Sequence, residues 1–183
     1  MKLDPLGDWR RTHFSNQVRP EMDGETITLF GWVEELRDLG GIKFLVLRDR
    51  EGTVQITTPL GNVAPSVIKK VEGLQKQSVI GVRGVVKRME KAPGGVEITP
   101  EEIRILSIAH HPLPLDPTGR VPADLDVRLN ARVLDLRRAE PRAIFRIRHI
   151  VINAVRNFFF DRGYTEVNTP KIIASATEGG AAL

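Results

Sequence analysis

The 183-residue chain contains no cysteine. That excludes disulfides, thiolate zinc sites and cysteine nucleophiles, and it suits a reducing cytoplasm. No run of the chain approaches the roughly 20 apolar residues needed to span a membrane. Asp4, Asp8, Arg10 and Arg11 interrupt the N-terminal segment where a secretory apolar stretch would lie. A soluble, cytoplasmic protein is therefore expected. The four histidines, His13, His110, His111 and His149, lack metal-ligand spacing. There is no phosphate-cradling glycine loop with its Lys and Ser/Thr, and no nucleophile, base and orienter set. From the residues alone, no catalytic group and no metal ligand is assigned.

Charge of one sign is only slightly in excess. Lys and Arg number 27 against 23 Asp and Glu, for a net charge of +4 and a pI near 9.7, a mild lean toward an anionic partner such as nucleic acid. With 41% hydrophobic residues the chain can build a real core. Its length suits one large domain, or a small domain with an appendage.

An irregular arm is expected over the first dozen or so residues. Residues 26–33 alternate as a strand, DLGG at 38–41 turns, and 42–47 form a second strand. DREG at 49–52 turns again before a third strand at 53–58. Residues 65–74 switch to helical spacing, with Val67, Ile68, Val71 and Leu74 on one side. Strands return at 78–87, then at 96–98 and 103–109, the last one split. Gly81 and Gly84 suggest tight bends at a barrel corner. Three strands, a short helix and two more strands predict a mainly β chain built on a five-stranded oligonucleotide-binding barrel, the OB-fold.

Composition changes after Ala109. Pro112, Pro114, Pro117, Pro122 and Pro141 mark an extended linker with a short helix before Pro141. Residues 142–162 read as the longest helix. One apolar stripe holds Ile144, Ile147, Val151, Val155 and Phe158, and a second holds Phe145, Ile152 and Phe159. A helix apolar over more than half its circumference must be covered on two sides, and what remains of the chain cannot cover it. Gly163 stops the helix, and 164–167 are expected to form a short strand ending at Pro170. The expected divisions are 1–109 for the barrel, 110–141 for the hinge and 142–183 for the start of a further α+β domain.

Single-stranded RNA is read by stacking its bases on aromatics and testing their edges with polar side chains. Strands two and three of an OB barrel offer the stacking face, and Phe44 and Gln55 fall there. By periodicity Phe44 belongs to the core, and Gln55 is as readily a solvated strand residue as a reader of bases. Arg37, Arg48 and Arg50 suit phosphate contacts or plain solvation. The stretch KRMEKAPGGVEITPEE, expected as a long loop, carries Lys87, Arg88, Lys91 and Glu97.

The segments GWVEELRDLGGIKFLVLRDREGTVQIT, PLPLDPTGRVPADLDVRLNARVLDLRR and TPKIIASATEGG, together with the helix from Phe145 to Tyr164, closely resemble aspartyl-tRNA synthetases of the archaeal type, in family order and spacing. The resemblance covers nearly the whole chain beyond the first ten residues. It implies an anticodon-binding OB domain, a hinge, and the first helix and strand of a class II catalytic domain. By the resemblance, Phe44 stacks on an anticodon base, Gln55 reads the central uridine, and Arg37 and Glu97 add further anticodon contacts. Phe145, Ile152, Phe159 and Pro170 fall in the motif that builds the family's homodimer interface. Ser175 to Gly180 match the loop that closes over the amino acid, with Glu178 as a contact to L-aspartate.

The partners so implied are tRNA(Asp) and, in members with relaxed specificity, tRNA(Asn). Full-length members use ATP and Mg2+. Two departures stand out. Ala181, Ala182 and Leu183 replace the family's small polar residue followed by Glu-Leu-Phe. Glu34 stands near a position where members that charge both tRNAs often carry a bulky aromatic, so the choice between the two tRNAs stays open. The later arginine-bearing ATP motifs are absent. The chain is expected to be part of a longer synthetase and, alone, not to form aspartyl-adenylate. The alternatives are an asparaginyl-tRNA synthetase relative and a non-catalytic OB module that binds tRNA or single strands.

Overall fold

The computed structural model describes residues 2–170. The chain divides into two units, Met1–Leu113 and Pro114–Leu183. The first is a closed barrel in the order β1-β2-β3-β5-β4, with β1 Thr26–Asp38, β2 Ile42–Arg48, β3 Thr53–Pro59, β4 Val79–Arg88 and β5 Val96–Ser107. Helix α1, Pro65–Glu72, stands between β3 and β4. Proline at its first position has the φ a helix start requires. Val67 and Val71 are buried, and both belong to the core formed by Ile27, Leu29, Val33, Leu45, Leu47, Ile56, Ile80, Val82, Ile98, Ile103 and Ile105. Those side chains alternate along their strands, as a barrel with one wet and one dry face requires.

β1 runs five residues further than its alternation predicts, because a bulge interrupts its pairing with β2. Val33 faces Leu47, but Glu35 faces Val46, so Glu34 is an extra residue on β1. A bulge shifts the inward–outward phase by one. Before it, Ile27, Leu29 and Val33 point inward; after it Leu36, opposite Leu45, does. Glu35 and Arg37 are thereby turned onto the outer face. β5 is one strand, not two: the irregularity read as a split is a bulge at Glu101, where Arg83 pairs with Glu102 and Gly84 with Pro100. The long loop expected between β4 and β5 is reduced to residues 89–95, with Ala92 buried beneath it.

The N-terminal arm is irregular but firmly packed. Trp9 is 1% exposed. It meets Phe30 edge-on at 6.3 Å, and the guanidinium groups of Arg83 and Arg104 lie 4.6 and 4.2 Å from its ring. Asp49, at the β2–β3 turn, ties the arm down. Its carboxylate accepts from the Ser15 backbone N–H and hydroxyl, both at 2.7 Å, and from the N–H groups of Glu51 and Gly52. Burial pushes the Asp49 pKa up, but these four donors outweigh it and hold the carboxyl below its ordinary value. A depressed folded-state pKa contributes stability that is present above the unfolded value near 4 and is lost as pH falls through the folded one. Asp49→Asn is therefore expected to destabilise the barrel by about 2 kcal/mol at neutral pH. The difference from wild type should shrink below about pH 4; equal denaturant midpoints for the two proteins at pH 7 would refute this account.

In the second unit the proline-rich stretch is not simply extended. Asp116 accepts from the backbone N–H of Thr118 and Val121 and from the Thr118 hydroxyl, closing a turn. Two short helices follow, α2 Leu125–Asn130 and α3 Arg132–Asp135. Asp135 is fully buried and accepts from Arg128 at 2.8 Å and from Arg132, with Arg138 nearby. These contacts give the stretch a local structure that proline counting does not foresee. Helix α4 spans Ala139–Phe160, with Pro141 in its first turn, where no N–H is missed. Gly163, at φ +80°, closes it, and the Tyr164 N–H returns to the Phe159 carbonyl.

The strand expected at 164–167 is not formed; residues 164–170 carry no regular structure. A strand needs a neighbour for its N–H and C=O groups, and the described residues of this unit include no other strand. Ser175 to Gly180, with Glu178, lie outside the described residues. No described helix is long and apolar enough to cross a membrane.

Candidate nucleic-acid interface

The outer face of β1, β2, β3 and β5 brings four of the sequence-predicted residues together. Strand register places Arg37 opposite Phe44 and Phe44 opposite Thr57. One step along, Glu35 lies opposite Val46, Val46 opposite Gln55, and Gln55 beside Glu97 of β5. Two parallel rows therefore cross the sheet, one carrying Arg37 and Phe44, the other Gln55 and Glu97. Phe44 and Gln55 are diagonal neighbours, a spacing that aromatic and long side chains can bridge.

Phe44 is only partly buried, while its neighbours Leu45 (1% exposed) and Leu47 (2%) fill the core. Core packing, which periodicity favours for Phe44, is therefore not its place: it sits in the phase opposite to the core. Arg37 is exposed and donates to Glu35 at 3.0 Å, a pairing worth little in water. Arg48 is committed to Glu34 at 3.0 Å. Arg50 stacks over Phe14 at 4.3 Å and pairs with Glu51, turned to the arm rather than to the outer face.

Gln55 is half-buried and engaged at its amide nitrogen. That nitrogen donates to Glu97 at 3.1 Å and lies 3.4 Å from the Thr57 hydroxyl oxygen. The Thr57 hydroxyl itself donates to the same Glu97 oxygen at 2.6 Å. Thr57 (1% exposed) and Glu97 (8%) are both buried. Sequence reading missed Thr57, although its place two residues beyond Gln55 on one strand puts the two on the same face.

Beside these rows, between the β1–β2 hairpin and α1, opens a cleft of about 390 Å³ with Arg37, Lys43, Phe44 and Glu72 among its walls. Lys43 bridges the hairpin to the helix, meeting Asp38 and, at 3.4 Å, Glu72. The hydrogen bond between Lys43 and Asp38 lowers the Asp38 pKa and raises that of Lys43. A half-exposed aromatic ring, an amide with oriented donor and acceptor, and an exposed guanidinium within one sheet face are the parts needed to stack, test and anchor an unpaired base.

In the second unit, Phe145, Ile152 and Phe159 all lie on α4, and each is more than 40% exposed. Pro170 lies in the irregular segment that follows the helix. A hollow of about 490 Å³ borders Phe159, Phe160 and Tyr164, with Arg156 and Glu166 also on its walls. Among the described residues, no group of three or more acidic or histidine side chains could hold a metal ion.

Residues 27–106 match the family described as OB-fold nucleic acid binding domain, and residues 124–183 match tRNA synthetases class II (D, K and N). The chain is 59% identical over 170 residues to an "Aspartate--tRNA(Asp/Asn) ligase" from Methanopyrus kandleri, covering 93% of this chain and 39% of that protein. Its fold is similar to asparaginyl-tRNA synthetase from Pyrococcus horikoshii complexed with asparaginyl-adenylate, with TM-score 0.83 and 30% identity over 94% of this chain and 39% of that one. It is also similar to aspartyl tRNA synthetase from Entamoeba histolytica, with TM-score 0.80 and 26% identity over 96% of this chain and 43% of that one. The chain thus spans about two-fifths of the length of these relatives.

Proposed function

Because the chain belongs to the archaeal-type aspartyl-tRNA synthetases of class II, we propose that its barrel grips the anticodon of tRNA(Asp), and of tRNA(Asn) in the manner the Methanopyrus relative's name implies. The whole protein would attach L-aspartate to the tRNA in an ATP-dependent reaction. The observation that supports this best is the shared outer face of Arg37, Phe44, Gln55 and Glu97. Phe44 stacks on a base, Gln55 tests its edge, and Arg37 meets the backbone. The 59% identity to a ligase that charges with aspartate favours that amino acid over asparagine.

ATP and Mg2+ are implied by the class II family. They supply activation of the carboxylate as an adenylate. None of the described residues forms a cluster to hold the ion. Glu178 is proposed as a contact to L-aspartate on the strength of the resemblance. The functional division follows the same reading: 1–109 binds the anticodon, 110–141 is the hinge, and 142–183 opens the catalytic domain.

The test is binding at fixed salt to unmodified tRNA(Asp) and tRNA(Asn) transcripts, beside a variant with the central anticodon uridine replaced. Loss of binding with that single change is the expected result. Equal, steeply salt-dependent binding to all three would reduce the face to a basic surface that holds phosphate.

The second proposal concerns α4. Ile144, Ile147, Val151 and Val155 are each more than half exposed, and their spacing sets them along one face of the helix, the kind of exposed apolar patch that marks an interaction surface. We propose that a second copy covers it through Phe145, Ile152, Phe159 and Pro170. The chain is expected to sediment as a dimer, and Ile152→Glu with Phe159→Glu should return it to monomer. A wild-type monomer at all concentrations up to the millimolar range would end the proposal.

A further inference from the structure

We propose that acidic side chains make the barrel's outer face a filter that admits an uncharged base and repels a phosphodiester backbone, with Glu35 as the residue that enforces the choice. The inference rests on the anticodon reading above and adds what that face rejects. The two rows and the cleft beside them hold four carboxylates, Glu35, Glu97, Asp38 and Glu72, against two cations, Arg37 and Lys43. Lys87 of β4, opposite Glu97, leaves the carboxylates still in excess, and Glu34 and Arg48 cancel each other. The protein as a whole carries the opposite sign, at +4. Both cations are also engaged, Arg37 with Glu35 at 3.0 Å and Lys43 with Asp38 and Glu72.

Binding of nucleic acid without sequence preference is carried by phosphates that meet Lys and Arg. This face offers such a ligand little. A duplex presents backbone to the sheet, so its phosphates come up against Glu35, which stands in one row with Val46 and Gln55. Glu35 is only 19% exposed, and like charges repel more strongly where water is partly excluded. An unpaired nucleotide avoids that cost. Its base is uncharged and lies against Phe44, while its phosphate stays at the rim, where Arg37 is 61% exposed and can swing out to meet it. Glu35 is thus a specificity residue that acts through its charge, holding Arg37 back from ligands that bring phosphate alone.

The experiment measures binding of the full chain, at 0.1 M salt and across a salt series, to two unmodified RNAs of about equal length: the anticodon stem-loop of tRNA(Asp) and a fully paired duplex. The wild type is expected to prefer the stem-loop by about a hundredfold or more. Glu35→Gln should tighten duplex binding about eightfold and steepen its salt dependence by about 0.9, the effect of one added phosphate contact. Stem-loop affinity should change by less than about threefold, since there Arg37 gives up only an exposed ion pair. Glu21→Gln makes the same charge change in the exposed turn before β1 and should leave duplex binding as it is. Unchanged duplex binding by Glu35→Gln, an equal gain for both RNAs, or an equal gain from Glu21→Gln each overturns the proposal. A wild type that binds the two RNAs equally is a different failure: the anticodon reading itself is then wrong, and the filter falls with it.

Discussion

Gly31→Ala is expected to lower the unfolding free energy of the barrel by about 3 kcal/mol or more, a value reserved for core overpacking and broken backbone contacts. A Cβ at this position would lie 2.2 Å from the carbonyl oxygen of Arg48 and 2.9 Å from its carbon. Both are backbone atoms of the paired strand, so no side chain can swing aside. β1 and β2 would have to part just before the bulge that turns Glu35 and Arg37 outward. Gly41 is the control: a Cβ there meets nothing within 4 Å, and Gly41→Ala should change stability by no more than about 0.5 kcal/mol. Both tryptophans, Trp9 and Trp32, belong to the first unit, so their fluorescence in a denaturant titration reports on the barrel alone. Equal midpoints for the two alanine variants would show that β1 does not approach β2 as closely as 2.2 Å demands.

The same close approach shows which parts of the barrel were legible and which were not. Strands with plain period-two alternation, such as Val54 and Ile56 against Gln55 and Thr57, declare both their type and their faces. Turns rich in Gly and Asp at 38–41 and 49–52 delimit them, and the helix after the third strand argues for the OB barrel over a plain β-meander. The bulge at Glu34 was not legible. An extra residue breaks the alternation after Val33, so the pattern alone ends β1 there although the strand continues to Asp38. Arg37 could then be named as a contact by resemblance, but not placed on the face of Phe44.

Long-range contacts were equally hidden. Nothing local to Trp9 announces that Arg83 and Arg104 enclose it, and nothing local to Asp49 announces Ser15. Glu97 falls in the strand expected at 96–98, but nothing local to it announces that β5 runs parallel to β3 and sets it beside Gln55. The uncovered stripes of α4 show the opposite case. Their apolar pattern was plain in the sequence, and the structure keeps them exposed, because burial there requires surface that the described residues do not supply.

Phe44→Ala should weaken binding of the anticodon stem-loop by about 1–3 kcal/mol, roughly 5- to 150-fold, the range for removing one aromatic stacking platform. Two signatures separate stacking from a general loss of structure. Phe44 is partly exposed and outside the buried cluster, so the variant should unfold within about 1 kcal/mol of wild type; a core phenylalanine would cost about 3–5 kcal/mol. Phenylalanine also carries no charge, so the dependence of affinity on salt should keep its slope. Arg37→Ala, by contrast, should flatten that slope by about 0.7, one released counterion on a single strand. Combining Phe44→Ala with Gln55→Ala tests whether the two act on one base. If the ring holds the base that the amide reads, Gln55 has little left to discriminate once Phe44 is gone, and the double variant loses less than the sum of the single losses. Strictly additive losses would assign the ring and the amide to different nucleotides, and a large drop in stability for Phe44→Ala would return the ring to the core.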